Sequence, residues 1–279
     1  MDRMGVGTAA RMDPATAPTT RPLAVVTGAS SGIGLELALE LARRGHDLVL
    51  AAEDAGLEAA ADAVRDLGAE VDAVRCDLRD SAGVERVHAA VEADGRPLAV
   101  AALNAGVGQG GSFVDNDLAD ELSIVDLNIT STLRLAKLVL RDMVAVDAGR
   151  VLITSSIASE MPGSFQAVYN ASKSFLQSFA QALQNELKDS GVTVTSLMPG
   201  PTETRFFARA GMLDTKVGQS GKDDPATVAR QGVDALLAGD SRVTGGGLKT
   251  RVQDAASKVL PDKVKAAMHR NMAEPGSGD

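Results

Sequence analysis

At 279 residues, with 44% apolar and 23% charged side chains, the chain has the size and make-up of one globular domain with a large core. Its formal net charge of −9 argues against a nucleic-acid partner, because a phosphate backbone would be repelled. No apolar run approaches the roughly 18 residues needed to cross a bilayer, and the lone Cys76 allows no intramolecular disulfide, so a reducing, cytoplasmic setting is expected.

Residues 1–22 read as a disordered leader. Arg3, Arg11 and Arg21 stand there without an apolar stretch, so no secretory signal is expected, and Met12 offers an alternative start to an Ala/Thr/Pro-rich segment. From Leu23 onward short apolar runs alternate with longer helical patterns. Strands are predicted at 23–27, 47–51, 70–74, 98–103, 150–155 and 192–197. Their runs are continuous rather than alternating, as in strands covered on both faces. Amphipathic helices are predicted at 33–44, closed by Gly45, and at 54–67. A longer, mainly apolar helix at about 118–146 needs burial against a second surface. This order predicts an α/β fold, a doubly wound parallel sheet in a single domain over 23–244, followed by a helical tail over 245–279.

The first strand runs into Thr27-Gly28-Ala29-Ser30-Ser31-Gly32-Ile33-Gly34 and then a helix. Glycines at a strand–helix turn let backbone N–H groups approach a pyrophosphate, although a glycine-rich turn without a ligand is the competing reading. Asn104-Ala105-Gly106 closes the strand at 98–103. Ser156 stands thirteen positions before Tyr169, the chain's single tyrosine, and Lys173 follows four after it. On a helix, residues four apart share a face, and an ammonium beside a phenol favours the phenolate. That suits a general acid/base. His46, His88 and His269 fall at no metal-ligand spacing, so no metal site is expected. Cys76 reads as a small buried side chain at a strand end.

These elements together resemble the classical short-chain dehydrogenase/reductase family, from about Leu23 to about Thr244. The resemblance implies a Rossmann fold and a nicotinamide-dependent oxidoreductase that interconverts a carbonyl and a secondary alcohol. It implies catalytic roles for Asn128, Ser156, Tyr169 and Lys173. The implied cofactor contacts are Gly28, Ser30, Ser31, Gly32, Ile33 and Gly34 in the turn, then Asp77, Leu78, Asn104, Ala105 and Gly106. Beyond these come Tyr169, Lys173, Pro199, Gly200, Thr202 and Thr204. Asp77 is equally readable as a helix N-cap, and Asn128 as a buried hydrogen-bonding residue. Ser155 is expected to pack.

In the implied mechanism Tyr169 exchanges the proton, Ser156 stabilises the oxygen, and Lys173 holds the ribose and lowers the tyrosine's pKa. Asn128 positions a water. Glu53, at the end of the second strand, favours NAD, with NADP the alternative, since a carboxylate there opposes a 2′-phosphate. Residues 200–224 are expected to cap the substrate, with Phe206, Phe207, Met212 and Leu213 as an apolar lining. The segments 106–111 and 161–163 would border the same mouth. A homotetramer or homodimer is expected through the helices at 118–146 and after Tyr169. A catalytically silent nucleotide-binding scaffold is the alternative function.

The tail carries Leu248, Val252, Val259, Leu260, Val264 and Met268 at near-helical spacing among Lys249, Arg251, Lys258, Lys263, Lys265 and Arg270. Packing on the enzyme is the favoured reading, and contact with an anionic membrane surface the other.

Overall fold

The computed structural model describes residues 21–257 and 260–278. The first twenty residues of the expected leader, and Lys258 and Val259 of the tail, lie outside them. Seven parallel strands form one sheet: β1 (Leu23–Thr27), β2 (Asp47–Ala52), β3 (Val71–Arg75), β4 (Leu98–Leu103), β5 (Gly149–Thr154), β6 (Val192–Pro199) and β7 (Arg242–Gly245), in the order β3-β2-β1-β4-β5-β6-β7. The connecting helices are α1 (Gly32–Arg43), α2 (Gly56–Arg65), α3 (Ser81–Asp94), α4 (Leu118–Ile124), α5 (Ser131–Ala145) and α6 (Ala167–Glu186). After β6 come the short α7 (Phe206–Arg209) and α8 (Lys216–Gln219), then α9 (Pro225–Ala238), α10 (Leu248–Ser257) and α11 (Asp262–Ala273).

The strands at the centre of the sheet feed two cores. In β1, Leu23 and Val25 join the side holding α3, α5 and α6, while Ala24 and Val26 join the side holding α1, α2 and α9. Both faces of the strand are therefore buried, which is why the sequence shows no period of two. The chain leaves β1 towards β2 on one side and returns at β4 on the other, so the β1 and β4 exits diverge and open a crevice.

The long helix expected at 118–146 is α4, a π turn over Val125–Thr130, and α5 in succession. Asn128 sits in the π turn, completely buried. The π turn inserts one residue into the helical ladder and so reorients what lies on either side of it. No strand is predicted beyond 197, yet β7 exists. Its four residues, Arg-Val-Thr-Gly, form a partly exposed edge too short to give a pattern.

At the start of the domain Arg21 is already anchored. Its guanidinium donates to the carbonyls of Gly68 and Ala42 and lies 3.2 Å from the buried Asp47 carboxylate. At the other end, the tail packs on the same chain through a different face from the apolar spacing in the sequence. Thr250, Asp254, His269 and Ala273 are buried, while Leu248, Val252, Val264 and Met268 are exposed. The docking is polar: Asp254 accepts from Arg242 at 2.7 Å and from Thr244 at 2.9 Å, and Lys265 donates to the Glu160 carbonyl. A polar anchor outweighs the apolar spacing because a buried charged hydrogen bond fixes one orientation, whereas scattered apolar side chains do not. No helix of the described residues is long and apolar enough to cross a membrane.

Candidate active site

The crevice holds a cavity of about 260 Å³. Its first wall is the turn after β1. Gly28 and Gly32 adopt φ of +67° and +57°, a region L side chains avoid, and a Cβ on Gly34 would overlap the Gly28 carbonyl oxygen. Ser31 precedes α1 in extended backbone and makes no side-chain cap, so the N–H groups of the first turn are left for a ligand. Such a turn fits an anionic group such as a pyrophosphate.

The turn is tied to the β4 exit by the hydroxyl of Thr27. It accepts from the backbone N–H of Asn104 and of Ala105, both at 3.0 Å. The Asn104 amide in turn donates to the Thr27 carbonyl and accepts from Thr154 at 3.1 Å. Thr27, Asn104 and Thr154 thus lock the ends of β1, β4 and β5 to one another. In the sequence Thr27 is both the last residue of the first strand and the first of the turn, and its polar side chain at the end of an apolar strand is the signal of this role.

Every residue expected to touch the cofactor lines this cavity, from the turn through Glu53, Asp77, Leu78, Asn104–Gly106, Tyr169 and Lys173 to Pro199, Gly200, Thr202 and Thr204. Ser156 lines it too, whereas Asn128 does not. The Asn128 amide is fully engaged: it donates to the Val107 carbonyl and to Ser172, and accepts from the Val107 N–H, each at 2.9 Å. Its side chain braces the β4 exit against α6. The Asp77 carboxylate takes the Arg79 backbone N–H and guanidinium, and the N-cap position of α3 is Asp80. Ser155 packs as expected, donating to the Lys173 carbonyl at 2.9 Å.

At the end of β2 the two carboxylates differ. Glu53 pairs with Arg79 at 2.7 Å. Asp54, not singled out in the sequence, turns to the glycine turn, where it accepts from Ser30 at 2.8 Å and from the Gly56 N–H. Burial raises the Asp54 pKa, but these two bonds and the nearby Arg209 and Arg205 outweigh it and hold the group below its usual value.

Tyr169 and Lys173 stand on one face of α6, with the ammonium 5.9 Å from the ring centroid. Lys173 donates to the Thr154 carbonyl at 2.9 Å. Burial pushes its pKa down to about 8. The phenol moves the other way, pushed up to about 12 by burial, with Ser156 pulling it back. The expected lowering of the phenol by Lys173 is not what this geometry gives. The ammonium is turned to a main-chain oxygen, and desolvation dominates both groups. The Ser156 hydroxyl leans on the Pro199 carbonyl at 3.4 Å and accepts from the Ala158 N–H.

Beyond Tyr169 the lining is apolar. Phe206 lies 5.1 Å from the Tyr169 ring and Phe207 5.4 Å from Phe206. Both line the cavity, and so do Gly106, Gly108 and Met161 of the expected mouth. Met212 is instead buried behind Phe207, and Leu213 is exposed to solvent, so neither reaches it. The tail contributes lining that the sequence did not suggest: Gln253, His269, Met272 and Ala273.

Comparison with known proteins gives a consistent result. The family model described as short chain dehydrogenase matches residues 22–212. A protein of Streptomyces virginiae named as a ketoacyl reductase of a monensin polyketide synthase is 39% identical over 197 residues, which is 68% of this chain and 74% of that protein. A short-chain dehydrogenase from Sphingobium yanoikuyae, solved with NADPH, superposes with a TM-score of 0.73 at 31% identity, over 80% of this chain and 86% of the other. One from Burkholderia phymatum, solved with NAD, gives 0.79 at 26% identity, over 91% and 97%.

Replacing Thr27 by valine keeps the side chain's shape and strips the acceptor from two backbone N–H groups. We expect a loss of about 1–3 kcal/mol of stability for each group left unpaired, read by chemical denaturation. A weaker dinucleotide affinity, read by calorimetry, should accompany it. Unchanged stability would show that the lock carries no strain.

Proposed function

The chain belongs to the short-chain dehydrogenase family, and from that premise we propose that it reduces a mid-sized, largely apolar ketone, or oxidises the matching alcohol, with Tyr169 exchanging the proton. It is a nicotinamide-dependent oxidoreductase. The observation that carries the finer reading is the convergence of Ser156, Tyr169 and Lys173 on one cavity whose other wall is a turn shaped for pyrophosphate. That convergence also speaks against a silent scaffold. The cavity walls at Phe206 and Phe207, and the ketoacyl reductase relative, support a ketone with an apolar body.

The dinucleotide would lie on the Gly28–Gly34 turn, with Asn104–Gly106 and Pro199–Thr204 flanking it, and it supplies or accepts the hydride. The chain's own groups do the rest. Tyr169, with its proton held firmly, donates it to the carbonyl oxygen as charge develops there. Ser156 hydrogen-bonds the same oxygen. Lys173, charged below about pH 8 and on the same helix face as Tyr169, would hold the nicotinamide ribose. Asn128 acts as a positioning residue that fixes the β4 exit.

NAD is the favoured dinucleotide over NADP, because Glu53 and Asp54 line the cavity at the end of β2 and already engage Arg79 and Arg209, the cations that a 2′-phosphate would need. We further propose residues 23–244 as the catalytic domain, 200–224 as its cap, and 245–279 as an appended tail packed on the enzyme. A homodimer or homotetramer is proposed through the α4–α5 and α6 surface. Phe113, Leu118, Leu122 and Phe175 are exposed there, beyond what a monomer's sheet can cover.

Tyr169→Phe should fold and bind dinucleotide yet lose turnover by at least about a hundredfold. In the wild type, ketone reduction should fall as pH rises through about 8, where Lys173 loses its charge. A few per cent of residual kcat in the variant, or a rate level through that transition, would contradict the assignment. For the cofactor, kcat/KM with NADH should exceed that with NADPH, and Glu53→Arg should shift the ratio towards NADPH by about tenfold. A wild type that prefers NADPH would reverse the reading. Light scattering at micromolar concentration should report a dimer or tetramer, and a monomer would overturn the assembly.

A further inference from the structure

His269 belongs to the tail helix α11, yet it lines the active-site cavity and is almost fully buried. Its Nδ1 lies 2.9 Å from the Ser164 carbonyl oxygen. A carbonyl only accepts, so Nδ1 carries the proton in the neutral ring and Nε2 is left as a bare acceptor. Burial holds the ring's pKa below its ordinary value, which keeps it neutral. Among the described residues, none donates to Nε2.

A second polar group belongs to the loop whose Ser164 carbonyl holds His269. Gln166, two residues beyond Ser164, is buried and lines the cavity, and none of the described residues takes its side-chain amide. The surroundings are apolar: Phe206 and Phe207 on the cap, Met272 and Ala273 on α11. Both side chains line the cavity, so their unengaged polar atoms are open to a ligand that enters it, and a ligand that covers them without bonding them loses free energy.

We propose that His269 and Gln166 form a polar subsite that selects ketones carrying a second hydrogen-bonding group, a hydroxyl or amide N–H, remote from the reacting carbonyl. Nε2 of His269 accepts from that group, and the Gln166 amide bonds to its oxygen. The subsite rests on the reading of the cavity as a ketone-reducing site. It makes the tail part of substrate recognition. A site that hydrogen-bonds a substrate group discriminates against the analogue lacking it, because its own polar atoms are then stranded.

The test compares acetophenone and acetonaphthone, each with and without a ring hydroxyl, on the full chain saturated with dinucleotide. The readout is the ratio of kcat/KM for the hydroxylated over the plain ketone. Calorimetric binding of the same four compounds gives the same ratio without turnover. The wild type should favour the hydroxylated member by about tenfold. His269→Leu should bring the ratio near unity, and His269→Gln, which offers an amide oxygen near the Nε2 position, should restore part of it. A residue that merely anchors α11 would change stability and leave the ratio alone. The proposal is overturned if the wild type and a folded His269→Leu give the same ratio. If His269→Leu fails to fold, Gln166→Leu decides on the same terms. Should no ketone be reduced while the hydroxylated compounds still bind preferentially through His269, the subsite stands and the reductase reading falls.

Discussion

The hydroxyl of Thr27 is the point on which the site depends. A doubly wound sheet opens a crevice wherever two neighbouring strands send their chains to opposite faces, but topology alone leaves the two exits free to splay. Here one oxygen receives two main-chain N–H groups from the β4 exit, and Asn104 returns a bond to the Thr27 carbonyl. The glycine turn is thereby held at a fixed distance from the strand that leads to the chemistry. Gly28 could not carry a side chain in this arrangement, since its Cβ would press on the Ala105 main chain. Thr154 extends the same network to β5, two residues before Ser156. The glycine turn and the strand that leads to Ser156 are thus parts of one hydrogen-bonded frame.

Burial shapes what the catalytic pair can do. An exposed tyrosine and lysine both titrate near pH 10, too close to differ in role. Placed in the cavity, the phenol moves up to about 12 and the ammonium down to about 8. Both neutral forms are favoured by desolvation, which separates the two values by about four units. The phenol is then a proton donor that stays loaded across the physiological range. The lysine becomes the group whose charge is sensitive to pH.

Much of this was legible in the sequence because it depends on local order. Continuous apolar runs announced strands buried on both sides, and the spacing of Ser156, Tyr169 and Lys173 announced one helix face opposite a strand end. What was not legible depends on pairs distant in the chain. Asp54 carries no signal in the sequence, because its partner Ser30 lies 24 residues away in the glycine turn. For Asn128 a poor helix former within a helix admits either a catalytic role or a buried hydrogen bond; its amide is bonded to the Val107 main chain, a partner that spacing alone does not identify. The strand β7 was too short and too exposed to show a period. Leu213 and Met212 share the composition of Phe206 and Phe207, but the turn after α7 carries one outward and the other behind the wall.

The tail shows the same limit most sharply and explains why. Leu248, Val252, Val264 and Met268 recur at helical spacing, yet they face outward, and polar contacts that dock the tail are made by Asp254, Thr250, Lys265 and His269. Helical periodicity reports which side chains lie in one row, not which row faces the body. A row of four scattered apolar side chains offers a few kcal/mol at most when buried in part. A buried carboxylate held by Arg242 and Thr244 tolerates no rotation of α10, because turning it would strand the charge. On α11, Met272 and Ala273 line the cavity. A segment least like the rest of the chain in pattern therefore ends as part of the cavity wall, held by buried polar bonds on α10 and α11 and by Ala273 in the apolar cluster of Phe207 and Met212.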